Sequence, residues 1–415
     1  MRIIHTSDWH LGRRFGPVSL RSDQEAFLDW FVELCRDQRA ELVVIAGDLF
    51  DRAIAPVEAI EAFRDTVRRL LALGATVAAI TGNHDGPDRV APYGELLDLS
   101  RFYLRGGYQG AGAVLPLDVG DGPLDLVLLP FLDPQAAPDG FGDDSDAGRD
   151  TPTDPDTADE RTDPDGDGAD DAEVTALLER RRRRTHASVL EVACRAAEAR
   201  LHSSRSVAVA HAFVTGGTPC ESERQLVVGG AGDVPASLFA PFSYTALGHL
   251  HRPQTVPGVS ARYSGSPLPY SFSEEHDKVV LVVDLDAAGD ARVAEVPVEV
   301  GRRVRTLTGE IAELLDPGRH PDAHDCFVRA VLTDRATVLD ARARLAEVYP
   351  HVVEVRLLPA GQEPEDSAAP VDVRDLTPVE AARRFWEAAE GSPPDDEIDR
   401  LLVAAAERAL REATP

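Results

Sequence analysis

The chain has 415 residues, a formal net charge of −29 and 43% hydrophobic residues. This length is sufficient for two or three domains, and the hydrophobic fraction excludes a wholly disordered chain. No run approaches the roughly 18 to 20 apolar residues that span a bilayer, and the opening MRIIHTSDWH lacks the apolar region of a signal peptide. We therefore expect a cytoplasmic protein that does not enter a membrane.

The cysteines are predicted to be four reduced thiols. They are Cys35, Cys194, Cys220 and Cys326. Their wide spacing without a C-x-x-C pair is typical neither of a disulfide framework nor of a thiolate zinc site. The basic residues are almost all arginine, and Lys278 is the only lysine.

About half of the negative charge lies in residues 133–173, which hold 16 acidic residues and two arginines. Large apolar side chains are nearly absent there, so the segment cannot bury enough surface to offset the entropy of ordering. It is predicted to be a disordered insertion. Asp163, Asp165 and Asp167 resemble the start of an EF-hand loop, but Val174 stands where the bidentate Glu is required, so calcium binding is not expected.

Outside this insertion, the first 300 residues alternate between strand-like and helix-like segments. Apolar runs predict strands at Arg2–Thr6, Leu42–Ala46, Ala75–Thr81, Leu124–Leu129, Val207–Ala210, Tyr244–Leu247 and Val279–Asp284. A capping box of Ser22 and Glu25 predicts the start of one helix, Pro56 that of another, and the arginine run 180–184 a solvated helix start. Strand–helix–strand repeats place helices against a sheet, and the less regular end favours a mixed sheet or a two-sheet sandwich.

The pattern restarts near residue 301. Strands are predicted at Val304–Leu307, Cys326–Leu332 and Val353–Leu358, with helices at about Glu310–Leu315 and Ala336–Val348. These elements form a small α+β domain over residues 301–358, and a polar linker follows at 359–375. Residues 376–415 are predicted to form two amphipathic helices, one of which carries Phe385 and Trp386. The residues alone leave open whether these helices fold back or dock on a partner.

Side chains of the types that bind metals follow five of the predicted strands. They are Asp8, His10, Asp48, Asn83, His84, Asp85, His211, His249 and His251. The loops at the carboxyl ends of strands in α/β sheets converge on one crevice. A single histidine is usually structural, but five strand ends that present such residues together indicate a metal centre.

The ligand types indicate which ions this centre holds. Imidazole together with carboxylate and amide oxygen suits divalent manganese, iron or zinc better than calcium. Seven of these nine side chains as ligands would be too many for one tetrahedral ion, but they suit two ions that share a bridging carboxylate. Two ions about 3.5–4 Å apart convert a bridging water into hydroxide and clamp a phosphate for in-line displacement. One histidine beside the metals would then be available to the leaving oxygen.

The blocks D-x-H, G-D-x-x-D, G-N-H-D, a later H and G-H-x-H resemble the signature of the calcineurin-like metallophosphoesterases. The stretches HTSDWHLG, AGDLFDRAIAP and YSGSPLPY resemble, more narrowly, the SbcD-type nuclease subunits of the SbcCD DNA-repair complex. This resemblance implies an α/β fold, α+β by some schemes, in which a two-sheet sandwich over residues 1–300 is flanked by helices. It also implies a capping domain at 301–358 and C-terminal helices at 376–415, and leaves only the acidic insertion without a counterpart.

The resemblance also implies roles for individual residues. It assigns one metal to Asp8, His10, Asp48 and His251. It assigns the second to Asn83, His211 and His249, with Asp48 as the bridge. His84 would be the catalytic histidine and Asp85 would orient it. Asp51 is expected to support the metal ligands and not to be a ligand itself. Some relatives have a histidine at this position that helps catalysis.

The implied function is that of a Mn²⁺-dependent DNA nuclease subunit, both a double-strand exonuclease and a single-strand or hairpin endonuclease. It would work in DNA repair, recombination and replication with an SbcC-like, SMC-family ATPase, as a homodimer within a heterotetramer. The chain has no G-x-x-x-x-G-K-[ST] loop, so ATP dependence would come from that partner. Its C-terminal helices would dock on the ATPase.

The residues define the substrate less narrowly than they define the metal site. Candidate DNA contacts are Arg13, Arg14, Arg52 and Arg89, which lie just after metal motifs, although each is also consistent with ordinary solvated surface. The same metal site serves a stand-alone phosphatase or small-molecule phosphodiesterase, which would act on aryl phosphates or cyclic nucleotides without DNA or an ATPase. A scaffold with a dead metal site is disfavoured because no expected ligand is missing.

Overall fold

The computed structural model describes residues 1–90, 94–138, 141, 184–223, 232–316, 318–336 and 338–358. Towards the C-terminus it describes residues 379–380, 383–384, 386, 394 and 398–403. The chain divides into two compact units, residues 1–226 with 230–360 and residues 227–229 with 361–415. The predicted domain boundaries at 300, 358 and 375 remain a prediction.

The first unit contains two six-stranded sheets. Its strands before residue 300 are β1 (Arg2–Thr6), β2 (Arg14–Phe15), β3 (Val18–Ser19), β4 (Leu42–Ala46), β5 (Thr76–Ile80), β6 (Phe102–Arg105), β7 (Val114–Val119), β8 (Gly122–Leu129), β9 (Ser206–His211), β10 (Tyr244–Gly248), β11 (Gln254–Val256), β12 (Ala261–Tyr263), β13 (Val279–Leu285) and β14 (Ala291–Pro297). One sheet has the order β14-β13-β1-β4-β5-β6, and the other has the order β11-β12-β10-β9-β8-β7.

Both sheets are mixed. In the first, β1, β4, β5 and β6 are parallel, while β13 and β14 are antiparallel additions. In the second, β8, β9, β10 and β12 are parallel, while β7 and β11 are antiparallel. The predicted α/β fold with a two-sheet sandwich is confirmed.

Helices cover the outer faces of the sandwich. They are α1 (Arg21–Asp37), α2 (Val57–Ala72), α3 (Pro87–Val90), α4 (Gly94–Asp98) and α5 (His186–Glu198). Strand β4 shows how the layers form, because successive side chains of a strand point to opposite faces. Val43 and Ile45 join the core beneath α1 and α2, whereas Leu42 and Val44 join the core between the sheets. All five residues of β4 are therefore buried, which explains its uninterrupted apolar sequence.

A small parallel sheet follows in the same unit. It consists of β15 (Val304–Gly309), β16 (Phe327–Leu332) and β17 (Val352–Leu357), with helices α6 (Ile311–Leu314) and α7 (Ala341–Ala346). Its own core includes Leu307, Val328 and Leu345. The sheet contacts the sandwich where the Phe327 ring stacks on Phe15, with their centroids 5.0 Å apart.

The start of α1 differs from the sequence prediction. The helix begins at Arg21 with Leu20 as its N-cap, and no side chain caps it. The capping box does not form because the helix begins before Ser22, whose side chain bonds Arg302 instead. The guanidinium of Arg302 donates to Ser22 Oγ at 3.0 Å and to Asp23 Oδ1 at 3.1 Å. These bonds tie α1 to the segment that enters the small sheet.

The structure describes the start of the acidic insertion and the last arginine of the run that follows it. Residues 133–138 are folded, and Tyr108 donates to the backbone oxygen of Asp133 at 2.7 Å. Arg184 is buried and donates to the backbone oxygen of Ala137 at 2.9 Å, so it is not solvated as predicted. The remainder of the insertion, including the EF-hand-like stretch, and Arg180 to Arg183 lie outside the described residues.

In the second unit, residues 379–380, 383–384, 386 and 398–403 are helical. Arg383 and Asp399 join these two segments through an ion pair with an Nη2–Oδ2 distance of 2.8 Å. Phe385 lies outside the described residues. All four cysteines are free thiols, as predicted. Among the described residues, no helix has both the length and the apolar character to cross a membrane.

Candidate metal centre

The residues that the sequence singles out do come together at strand ends. Asp8 and His10 follow β1, and Asp48 follows the adjacent parallel strand β4. The two loops run side by side, because Asp8 N donates to Gly47 O at 3.0 Å and His10 N donates to Asp48 O at 2.9 Å. The other members follow β5, β9 and β10, and they are Asn83, His84, Asp85, His211, His249 and His251. All are buried except Asn83, which is half-buried.

Four of these residues have a strained backbone. Asp8, His10, Asp48 and His249 have φ angles of 54°, 43°, 50° and 103°. Residues other than glycine rarely adopt positive φ, and such strain clusters at functional sites. The turn at β1 directs Asp8 and His10 into the site while Trp9 between them is buried in the core beneath α1 and α2.

Glycines in the motifs leave space for the ligands. A Cβ atom on Gly82 would lie 2.1 Å from Asp48 Oδ1, and one on Gly47 would lie 2.3 Å from His211 Nδ1. A Cβ on Gly248 would lie 1.8 Å from a backbone oxygen of β4. Contacts this short do not occur, so each glycine in G-D, G-N-H-D and G-H-x-H is required by close approach.

The ligand candidates form two groups around Asp48. In the first, donor atoms of Asp8, His10 and His251 lie within 4.8 Å of one another. The Nε2 atoms of His10 and His251 are 3.3 Å apart, and Asp48 Oδ2 is 3.4 Å from His10 Nε2. This oxygen of Asp48 therefore faces the first group.

The second group surrounds the amide of Asn83. Its Oδ1 atom is 3.0 Å from His211 Nε2 and 3.2 Å from His249 Nδ1. The other oxygen of Asp48, Oδ1, is 3.7 Å from His211 Nε2. The carboxylate of Asp48 thus presents one oxygen to each group.

Burial controls the charge of these groups. It raises the pKa of Asp8 well above its usual range, with a further contribution from Asp48, and it lowers the pKa of His10 and His249 well below theirs. Burial also lowers the pKa of His211 to about 4. The imidazoles are therefore neutral, the form that binds metal, and the buried carboxylates need a cation to offset their charge.

The donor set fits divalent cations. Buried carboxylate and imidazole donors converge beside the half-buried amide of Asn83. Such mixed oxygen and nitrogen donors suit first-row divalent ions. The side chains therefore form a metal-binding site whose ligands are arranged in two groups.

His84 lies beside the ligands. Its backbone N–H donates to Asp48 Oδ1 at 2.9 Å, and its ring is perpendicular to that of His10, with centroids 4.6 Å apart. Its Nδ1 atom is 2.9 Å from the backbone oxygen of Asp51. The side chain of Asp51 itself pairs with Arg13 and lies 3.9 Å from His10 Nδ1.

Asp85 connects two of the loops. Its carboxylate accepts the backbone N–H groups of Leu49, Phe50 and Gly82 at 3.1, 2.9 and 2.8 Å. Burial raises its pKa to about 7, and the nearby Asp48 contributes to this rise. Asp85 therefore fixes the loop after β4 against the loop that carries His84.

The predicted DNA contacts differ in exposure. Arg13 is half-buried. It donates to Asp51 Oδ1 at 3.1 Å, and its guanidinium lies 4.8 Å from the centroid of the Tyr270 ring. The exposed members of the set are Arg14, Arg52 and Arg89.

Sequence reasoning missed the residues behind His251. Ser222 Oγ is 2.7 Å from His251 Nδ1, Glu223 Oε1 accepts the backbone N–H of His251 at 2.5 Å, and Lys278 Nζ donates to its backbone oxygen at 3.1 Å. Glu274 accepts from both Ser222 and Lys278. The signal for them in the sequence was that Lys278, the single lysine of the chain, follows Glu274 by four residues.

Comparison with known proteins agrees with this site. Residues 1–135 match the family model of the calcineurin-like phosphoesterases, and residues 300–390 match that of the type 5 capsule protein repressor C-terminal domain. The chain is 30% identical over 431 residues to the SbcD subunit of nuclease SbcCD from Bacillus subtilis (strain 168), and the match covers 98% of each protein.

Two solved structures are also similar. A crystal structure of a Thermus thermophilus protein shares 12% identity with a TM-score of 0.32, and a dimetal phosphatase from Danio rerio shares 13% with a TM-score of 0.36. Each match covers 71% of this chain and 98% of the other.

The two mixed sheets and the buried Asp and His groups at their strand ends define a metallophosphoesterase. Within that class, the near full-length match to a curated nuclease subunit narrows the assignment. The chain belongs to the family of SbcD-type nuclease subunits.

Proposed function

We propose that this chain is a Mn²⁺-dependent DNA nuclease that hydrolyses phosphodiester bonds with two metal ions. The observation that carries this proposal is the position of Asp48, which presents one oxygen to each of two ligand groups. Asp8, His10 and His251 would complete one metal site. The other would be completed by Asn83, His211 and His249. The mixed imidazole, carboxylate and amide donors suit divalent manganese, iron or zinc, and manganese is proposed among these because the resemblance to SbcD-type nucleases implies it.

When bound, the two cations would supply the charge that activates water and holds the phosphate. His84 would act on the leaving oxygen. Its Nδ1 atom faces the backbone oxygen of Asp51, so the hydrogen bond there assigns that nitrogen a proton and makes Nε2 the atom that exchanges a proton with substrate. Asp85 would orient His84 through the backbone, because its carboxylate holds the N–H of Gly82.

DNA is proposed as the substrate, with double-strand exonuclease and single-strand or hairpin endonuclease activity. The exposed Arg14, Arg52 and Arg89 supply positive charge beside the motifs, in a chain whose net charge is otherwise strongly negative. Phosphate contacts by such side chains dominate the affinity of proteins for DNA. Arg13 would act indirectly, because it is half-buried and bonded to Asp51.

The relative's name places it in an SbcCD complex, and we extend this to the present chain. The partner would be an SbcC-like, SMC-family ATPase, docked on residues 376–415, where Leu401 is 65% exposed. A second copy of the chain would pack on Ile54, Val57 and Ile60, which are exposed in the first turn of α2 and in the loop before it. The assembly would act on chromosomal DNA in the cytoplasm.

The test is Mn²⁺-dependent cleavage of an end-labelled DNA hairpin by the purified chain. His84→Ala is expected to lose at least about 100-fold in rate while it still binds Mn²⁺, because general acid catalysis contributes about 10²- to 10⁴-fold. His202→Ala is the matched control, because His202 is an exposed histidine. It should cleave like the wild type.

A wild type that hydrolyses an aryl phosphodiester but cleaves no DNA, even with the ATPase added, would contradict the proposed substrate. That result would favour a stand-alone phosphodiesterase that uses the same metal site.

A further inference from the structure

The single lysine of the chain lies behind the metal centre. Arginine provides every other basic side chain, yet Lys278 occupies a buried position where several acceptors converge. Its ammonium donates to the backbone oxygen of His251 at 3.1 Å, to Ser266 Oγ at 2.9 Å and to a carboxylate oxygen of Glu274. His276 Nε2 lies 3.3 Å from the same nitrogen.

An ammonium group suits this position better than a guanidinium. It is compact and directs three donors from one atom, whereas a guanidinium spreads five donors over a rigid plane. The acceptors of Lys278 come from three separate parts of the chain, at residues 251, 266 and 274, and all lie around one atom. A planar fork cannot place three donors at the same point.

Glu274 connects this lysine to the ring of His251. Its carboxylate is buried, 2% exposed, and its Oε1 atom accepts the Ser222 hydroxyl at 2.6 Å and the backbone N–H of Tyr270 at 3.0 Å. Because the Ser222 hydroxyl donates to Glu274, its oxygen accepts from His251 Nδ1, 2.7 Å away. The hydrogen-bonded chain runs from Lys278 through Glu274 and Ser222 to the ring.

This chain of hydrogen bonds selects one form of the imidazole. A proton on Nδ1 leaves the lone pair on Nε2, and Nε2 is the atom that lies 3.3 Å from His10 Nε2 in the first ligand group. Partners that bond the second nitrogen of a histidine ligand fix its tautomer and orientation, and their loss typically weakens metal affinity about 10- to 100-fold.

We infer that Lys278, acting through Glu274 and Ser222, is a positioning residue that holds His251 in its metal-binding tautomer and orientation. Lys278 fixes the ligand at two points, because it bonds the backbone oxygen of His251 directly and its ring through the other two residues. This inference rests on the proposed function, since it assumes that His251 binds a metal.

The test measures Mn²⁺ binding to the full chain by isothermal titration calorimetry, with Mn²⁺ alone and no DNA. Lys278→Met and Ser222→Ala are each expected to weaken binding about 10-fold or more. Lys278→Arg should restore the charge without restoring the affinity. Thermal unfolding in EDTA is measured for each variant, because a structural role lowers stability without changing metal affinity.

Arg205→Met is the matched control. Arg205 is also a buried cation that bonds a backbone oxygen, of Pro123 at 3.1 Å, and a carboxylate, of Asp121. It lies just before β9, at the opposite end of the strand from His211. Its loss should lower stability and leave Mn²⁺ affinity unchanged.

Wild-type Mn²⁺ affinity in both Lys278→Met and Ser222→Ala would overturn the inference, whatever their stability. If Lys278→Met does not fold, Ser222→Ala alone decides, because it removes one hydroxyl from a half-buried loop residue. A wild type that binds Mn²⁺ but cleaves no DNA would count against the proposed function and not against the positioning role, since binding is measured without substrate.

Discussion

The Gly82→Ala variant tests whether the position of Asp48 sets the activity of this site. The added Cβ would lie 2.1 Å from Asp48 Oδ1 and 2.5 Å from its backbone nitrogen. Ordinary contacts need about 3.4 Å, so the carboxylate must move by about 1 Å. Gly82 does not have positive φ, so the effect is steric and not conformational.

A displacement of about 1 Å at a reacting centre costs about 100-fold in rate, equivalent to about 2.7 kcal/mol of transition-state stabilisation. We expect that loss in single-turnover cleavage of a DNA hairpin with saturating Mn²⁺. The affinity for Mn²⁺ should fall as well, because Asp48 faces both ligand groups. Urea unfolding in EDTA should show a separate cost in stability of about 1–3 kcal/mol from overpacking.

Gly318→Ala is the control, because this glycine also lacks positive φ and its added Cβ would approach only Asp316, at 3.3 Å. It should leave cleavage and Mn²⁺ affinity unchanged. Gly82→Ala activity within threefold of the wild type, at normal Mn²⁺ affinity, would refute the argument that Asp48 is confined by this glycine.

Three further predictions follow from other contacts. Burial lowers the pKa of His186 to about 4 in the folded protein. As the pH falls below about 6.5, the histidine takes up a proton in the unfolded chain before it does so in the folded one. The stability that the neutral histidine contributes is therefore present above that pH and is lost towards pH 4. Urea unfolding in EDTA should show about 2 kcal/mol more loss between pH 7 and pH 5 in the wild type than in His186→Gln. Arg302→Ala leaves Asp23 buried without its ion-pair partner, so the free energy of unfolding should fall by about 3 kcal/mol. Arg52→Ala should weaken DNA binding several-fold. It should also reduce the slope of log affinity against log salt concentration by about 1, the value for one phosphate contact, as measured by fluorescence anisotropy across salt concentrations.

Each of these has a control. Arg303→Ala removes an exposed ion pair with Asp277 and should change stability by less than about 1 kcal/mol; a loss equal to that of Arg302→Ala would contradict the importance of burial. Arg68→Ala, on α2, should leave the salt dependence as in the wild type, and an unchanged slope in Arg52→Ala would remove Arg52 from the DNA interface. Parallel pH profiles of the wild type and His186→Gln would show that His186 does not titrate as expected.

The sequence identified the strands that carry the metal ligands because these strands are buried on both faces. Strands such as β4 are uninterrupted apolar runs, and the motifs that follow them are local in sequence. The edge strands of the two six-stranded sheets were not predicted. In β14 no residue is fully buried, so its side chains show no apolar run, and only its pairing with β13 makes it a strand.

The start of α1 shows why a local signal can fail. Ser22 and Glu25 have the spacing of a capping box, but a hydroxyl that bonds Arg302, 280 residues away, no longer caps the helix. Such competition between a local and a distant partner has no signature in the sequence. The arginine at 184 is a similar case, because its burial depends on the backbone oxygen of Ala137.

The candidate site also combines features that the sequence determined with features that only the tertiary structure decided. Which residue types gather at the strand ends was determined by the sequence, because chain order and strand direction bring those loops together. Only the tertiary structure decided that the two oxygens of Asp48 face different groups, and that Ser222, Glu274 and Lys278 lie behind His251. Some of these contacts, such as that between Asp48 and His211, join residues more than a hundred positions apart in the chain. The packing of the two sheets sets the distances between such residues, and no local sequence pattern encodes them.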